Sequence, residues 1–191
     1  MPQPIPRAKL LHLTDREKWR AWLKKNCRMK SEIWLVYTTK HTGRPRISYN
    51  DAVEEALCFG WIDSTIRAVD EDHFAQRISV RKARSTYSQS NIERLRALVR
   101  DGLVMDQVLQ TLPDLSEDAF EMPLDILAAI KSDKEAWKHF GGFSQAYIRI
   151  RIAYIEGARS RPDEFKKRLA HFIRMSGKNK RIGFGGIEKH Y

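Results

Sequence analysis

Two eight-residue runs, residues 62–69 and 73–80, are separated only by Asp70-Glu71-Asp72. Each run alternates weakly between apolar and polar side chains, the period of a half-buried strand. Two such strands joined by so short and acidic a connection are expected to fold as an antiparallel hairpin with an exposed turn. The hairpin commits the chain to a sheet, and the other elements must be arranged around it.

Residues 33–39 are rich in β-branched and aromatic side chains and read as a further strand, closed by the turn Thr42-Gly43-Arg44-Pro45. Residues 10–13 suit a short strand. Thr14 is the expected cap of the next helix, with Glu17 completing a capping box and Trp19, Trp22 and Leu23 on one face. Ser48 or Asn50 caps a second helix through Val53, Ala56 and Leu57, ended at Gly60. Ser88 or Ser90 opens a third through Ile92, Leu95, Leu98 and Val99, closed near Gly102. Residues 105–112 form a short helix stopped by Pro113.

Residues 113–123, acidic and carrying two prolines, read as a linker. Beyond it the pattern is helical, over residues 124–131, 133–140, 143–158 and 162–175. In the last of these, Phe165, Leu169, Phe172 and Ile173 make an amphipathic stripe. Pro162, Asp163 and Glu164 suit its first turn. The expected fold class is α+β. A small, mostly antiparallel sheet with packed helices occupies residues 1–112, a helical module occupies 124–176, and a basic, glycine-rich tail, whose order the sequence leaves open, occupies 177–191.

The chain carries 35 Lys and Arg against 24 acids, a formal charge of +11. The excess sits at the two ends, while residues 31–142 are net acidic. Such a surface favours anionic partners, either a small molecule or nucleic acid. Cys27 and Cys58 form no C-x-x-C pair, and the histidines show no H-x-x-x-H or H-E-x-x-H spacing, so no metal site is expected. No Walker loop is present and no cofactor is expected. Sparse cysteine, a proline-bearing N-terminus without an apolar core, and the shortness of the longest apolar runs lead to the expectation of a cytoplasmic protein without membrane insertion.

The stretch with most chemical content begins at residues 56–64, where a thiol, a glycine, a tryptophan and a carboxylate surround one helix-to-strand turn. Arg77, Arg81, Lys82 and Arg84 follow without an intervening acid, ending at a hydroxyl-rich helix start. Guanidinium forks and helix N–H groups suit a phosphate or carboxylate. The candidate ligand-binding residues are Gly60, Trp61, Asp63, Arg77, Arg81, Arg84, Ser85, Ser88 and Asn91. The competing structural reading pairs Arg77 and Arg84 with Asp63 or with the turn acids, leaving Ser88 as a cap only. Cys58, flanked by Leu57 and Phe59, reads as a buried thiol, with His73 the nearest candidate base if it were a nucleophile.

Residues 54–102 resemble the YdeI/OmpD-associated family, also labelled bacteriocin-protection proteins. Gly60, Trp61, Ile62 and Asp63 match its G-W-I-D block, and Arg77, Arg81, Ser85, Ser88 and Asn91 match its following R…R…S…S-x-x-N stretch. Residues 120–169 resemble the family's helical module through Pro123, Asp125, Ala128, Ala136, Phe140, Tyr147, Ile155 and Ala158. Tyr87 stands where the family usually has tryptophan, Val80 where it has proline, and Asp163-Glu164-Phe165 where it has E-T-R. The resemblance implies a resistance-type protein with no assigned reaction. Alternatives are an enzyme acting on a phosphorylated or carboxylated small molecule at the same site, and a nucleic-acid-associated protein using the basic ends.

Overall fold

The computed structural model describes residues 5–82, 85–183 and 186–190. The chain separates into two compact units, Met1–Ser85 with Leu98–Leu112, and Thr86–Ala97 with Pro113–Tyr191.

The first unit is built on a four-stranded sheet. Its strands are β1 (Leu10–His12), β2 (Glu32–Thr38), β3 (Trp61–Ala68) and β4 (His73–Val80), in the order β1-β2-β4-β3. The expected hairpin is present as β3 and β4, and β2 pairs antiparallel to β4. The short first strand runs parallel to β2, so the sheet is mixed. The cause is the connection. Between β1 and β2 the chain passes through α1 (Arg16–Asn26), a crossover long enough to return the chain in the same direction.

Side chains alternate across the sheet, and the register fixes which residues share a face. Ile33, Leu35 and Tyr37 lie opposite Ile78, Gln76 and Phe74, and Trp61 and Asp63 lie opposite Val80 and Ile78. This face meets α1 and α2 (Tyr49–Cys58). Trp19 donates its indole N–H to the Ala52 carbonyl at 3.0 Å, and Trp22 packs edge-on to Trp61. The other face carries a smaller cluster of Trp34, Val36 and Ala75 covered by Ile5 and Leu10. With apolar contacts on both sides, β2 buries five consecutive residues, 33–37.

Local signals explain the helix ends. Ser48 caps α2 by accepting from the Asp51 N–H. Gly60, at φ +72, makes the reversal into β3, and a Cβ there would crowd Val108. The cap of α1 is Asp15, not Thr14. Its carboxylate accepts from the Lys18 N–H at 2.8 Å, an interaction that also keeps the carboxyl below its ordinary range.

The second unit contains α5 (Leu124–Ser132), α6 (Lys134–Phe140), α7 (Gln145–Glu156) and α8 (Pro162–Gly177). Ile126, Ile130, Phe140, Tyr147, Ile152 and Phe172 anchor its core. Residues 113–123, expected as a linker, are tied into this unit. Phe120 and Met122 pack on the core, and Arg96 donates to the carbonyls of Leu115 and Ser116. The helix between hairpin and linker, α3 (Gln89–Arg100), contributes residues to both units, and α4 (Asp106–Leu109) completes the first. Residues 86–97 group with the helical unit for a charge reason. The buried Glu93 carboxylate of α3 accepts from Arg149 Nε at 2.7 Å and Nη2 at 3.1 Å, and from Arg96 at 2.7 Å. The tail, whose order the sequence left open, is anchored in its described part: Ile187 is fully buried and its 3-10 turn, Ile187–His190, packs on α7.

Burial alone would push the Glu93 carboxyl up, but hydrogen bonds from Arg149, Gln89 and Arg96 hold it below its ordinary value of 4.5. A depressed carboxylate contributes stability above its unfolded-state value and loses it as the pH falls through the folded one. The helical unit is therefore expected to lose stability as the pH drops below 4.5, and Glu93→Gln to flatten that part of the acid-unfolding curve. Arg149→Met, which strands the buried carboxylate, is expected to cost about 3–5 kcal/mol in chemical denaturation at neutral pH.

Candidate functional site

The sheet distributes the sequence-expected site residues in a way their spacing did not reveal. Asp63 faces α2, where its Oδ2 accepts from Gln76 Nε2 at 2.6 Å and from the Tyr49 hydroxyl at 3.0 Å. Gln76 in turn accepts from the Tyr37 hydroxyl at 3.1 Å. Burial, with the Asp63 charge adding to it, raises the Tyr37 phenol above its ordinary range and keeps it protonated as a donor. Arg77, one residue along β4 from Gln76, points to the opposite face. There it pairs with Glu32, Nε to Oε2 at 2.6 Å, and Lys9 bonds the other carboxylate oxygen. Asp63 and Arg77 thus do not converge, and the partner of Arg77 is neither Asp63 nor the turn acids. Asp70 and Asp72 instead meet His73 and His41.

Trp61 is a core residue, 1% exposed. Arg81 donates to the Ser85 carbonyl, and Ser85 Oγ donates to the Lys82 carbonyl at 2.8 Å. Arg84 lies outside the described residues. Ser88 and Asn91 belong to the second unit, where Ser88 caps α3 through the Asn91 N–H and Asn91 Oδ1 accepts from Arg94 at 3.1 Å.

A charge cluster that the sequence reading passed over lies between α1 and α2. Arg16 donates to Glu55 at 2.5 Å, to Glu54 at 3.0 Å and to Asp51 at 3.1 Å, and Arg20 donates to Glu55 at 2.7 Å. Glu54 and Glu55 are almost fully buried. The signal was available: Arg16 and Arg20 stand four apart on one helix, and Asp51, Glu54 and Glu55 share a face of the next. Cys58 lies beside this cluster. Burial and the neighbouring Glu55 carboxylate push its thiol up to about 11 despite a hydrogen bond from Arg20, so at neutral pH it is not a thiolate.

The second unit contains a cavity of about 340 Å³ between α7 and α8. Arg151, Tyr154 and Ile155 line it from α7 at spacings of three and four. Glu164, Lys167, Arg168, His171 and Phe172 line it from α8 at helical spacing, and Ile182 of the tail closes one side. Arg168 is held in place: it donates to Glu164 at 2.7 Å and to the Tyr154 carbonyl at 2.8 Å, and its guanidinium lies 3.8 Å over the Tyr154 ring. The Arg168 hydrogen bond keeps Glu164 ionised by holding its carboxyl below the usual range. Arg174 Nη2 lies 2.8 Å from His171 Nδ1. Ile182 is fixed through its backbone, whose N–H donates to the Tyr147 hydroxyl at 2.9 Å. With Arg151, Lys167 and Arg168 set against Glu164 alone, the lining carries a net charge of two positives. Arg151 is only 4% exposed, so one of these charges is built into the protein interior.

A wider hollow on the open face of the sheet, lined by residues including Arg7, His12, Val69 and Asp70, balances one arginine with one acid. Among the described residues no group of His, Cys, Asp and Glu is arranged to hold a metal ion, and no helix is long and apolar enough to cross a membrane.

Comparison with known families divides the chain at the same region as its contacts. Residues 11–111 match the model described as a domain of unknown function, DUF8412. Residues 119–179 match the model described as bacteriocin-protection, YdeI or OmpD-associated. The resemblance read from the hairpin region thus falls under a separate model, and the YdeI/OmpD-associated match covers the helical module. No curated protein and no solved structure gives a significant match.

The state of Cys58 can be checked directly. Its alkylation in the folded protein at neutral pH is expected to be at least about a hundredfold slower than that of a free thiol, because the thiolate fraction falls about tenfold per pH unit and burial limits access. Rapid labelling would contradict the assignment of a protonated, enclosed thiol.

Proposed function

We propose, for a chain that belongs to the DUF8412 family and carries a YdeI/OmpD-associated module, that it is a non-catalytic binder of a small anion, with its site in the α7–α8 cavity. The observation that carries this reading is the charge of the lining, where Arg151, Lys167 and Arg168 outnumber the one acid, Glu164. A concave site with an excess of cations favours an anionic ligand over a neutral one. In this reading the role that names the C-terminal family, bacteriocin protection, works through capture of a ligand.

The enzyme alternative finds less support in the first unit. The Cys58 thiol is raised, and Asp63 is engaged by Gln76 and Tyr49. Anion binding at the sheet, as expected from the sequence, stands as the competing reading, with Arg81, Lys82 and Ser85 as its donors. Nucleic-acid binding through the basic ends would require affinity that falls steeply with salt.

Thermal melts with and without inorganic phosphate separate these readings. Phosphate is expected to raise the melting temperature of the wild-type chain by a few degrees at saturating concentration. Arg151→Met or Lys167→Gln should abolish the rise, and Arg81→Met should leave it intact. A rise lost in Arg81→Met but kept in Lys167→Gln would move the site to the sheet. Indifference of the wild-type chain to phosphate and sulfate would remove the reading.

A further inference from the structure

We infer that the outer face of α8, with the turn that follows it, is a docking surface for the phosphate backbone of a nucleic-acid duplex, bound without regard to sequence. The inference goes beyond the small-anion reading and does not rest on it. Residues 165–187 hold seven Lys and Arg and no acid. Lys167, His171, Arg174 and Lys178 follow one another at spacings of four, three and four, so they leave the helix on one side. Phe165, Leu169, Phe172 and Ser176 stand on the opposite side, where the first three pack on the core and Ser176 is buried. Lys167, Arg174 and Lys178 are exposed, as are Lys180 and Arg181 beyond the helix. At the rise of an α-helix, the row from Lys167 to Lys178 is about 16 Å long.

The end of the row is built into the fold. Asn179, at φ +52, ends α8, and the Lys180 N–H donates to the Met175 carbonyl at 2.9 Å, the bond of a left-handed helix cap. Arg181 precedes Ile182, whose N–H is held by the Tyr147 hydroxyl. A merely solvated face mixes its charges. Lys18, Lys138 and Arg159 each have an acid three residues back, at Asp15, Glu135 and Glu156. Among the described residues, no carboxylate lies within ion-pair distance of Arg174, Lys178, Lys180 or Arg181. Arg174 and Lys178 are like charges one turn apart, an arrangement that weakens a helix until an anion meets it. A duplex carries one negative charge per ~1.7 Å of its axis, dense enough to serve the whole row. Two observations set aside other polyanions. A helix that lies on a membrane turns its apolar face into the lipid, whereas the apolar face of α8 is packed in the core. The row has no Phe, Tyr or Trp on which an unpaired base could stack, so it suits a duplex more than a single strand.

Fluorescence anisotropy of the full chain with a short DNA duplex of arbitrary sequence, from low to physiological salt, tests the inference. Binding is expected at low salt, with log affinity falling against log salt at a slope of about −3 to −5, the mark of a few phosphate contacts. Arg174→Gln, Lys178→Gln and Lys180→Gln should each reduce that slope by about 0.9, and the triple variant should weaken low-salt binding by about tenfold or more. These three positions are exposed and do not line the α7–α8 cavity, so the triple variant should keep its helix content and its response to inorganic phosphate. Lys24→Gln with Lys25→Gln, exposed cations of α1, should leave the slope nearly unchanged. No binding at low salt would overturn the inference. So would binding that the triple variant retains and the α1 variant loses, since the contact would then lie in the first unit. Tighter binding to phosphatidylserine vesicles or to polyglutamate than to the duplex would overturn the choice of partner.

Discussion

Buried carboxylates in this protein are tolerated because guanidinium groups meet them, and much of the architecture follows from that requirement. In the first unit, Glu54 and Glu55 of α2 are buried against Arg16 and Arg20 of α1, which fixes how the two helices lie over the sheet. In the second, Glu93 is met by Arg149 and Arg96, and this draws the first part of α3 and the 113–123 segment onto the helical core. Removing one partner in either place leaves a charge in a low-dielectric interior, so these contacts specify the arrangement more than they add to net stability.

The same helix shows how one device is used for two ends. Arg149 and Arg151 are both buried on α7, two residues apart. Two residues turn a helix by about 200°, so the side chains leave it on nearly opposite sides. One guanidinium closes the Glu93 pair and serves the fold. The other lines the α7–α8 cavity.

Much of the fold was legible because its signals are local. The hairpin, the Ser48 cap, the Gly60 turn and the Pro162 helix start each depend on a few adjacent residues. What was not legible depended on distant partners. Glu32 lies 45 residues from Arg77, so nothing in the spacing of the hairpin arginines showed that one of them was already paired. The parallel pairing of β1 depends on a three-residue strand whose direction is set by the α1 crossover. The α7–α8 cavity draws its lining from two helices and the tail, and its cations look in sequence like an ordinary solvated face. The Ile-Arg-Ile-Arg-Ile alternation at 148–152 gives no amphipathic stripe because α7 is enclosed on several sides.

We propose the α7–α8 cavity, and not the cations Arg81 and Lys82, as the place that takes an anion. Nuclear magnetic resonance of the uniformly ¹⁵N-labelled chain during a phosphate titration tests it most directly, through the arginine Nε–H signals and the backbone amides together. Saturable shifts are expected at Arg151 and Arg168 Nε–H and at the amides of residues 167–172, with residues 81–85 unmoved. Shifts centred on residues 81–85, with the α7 and α8 signals unchanged, would contradict it.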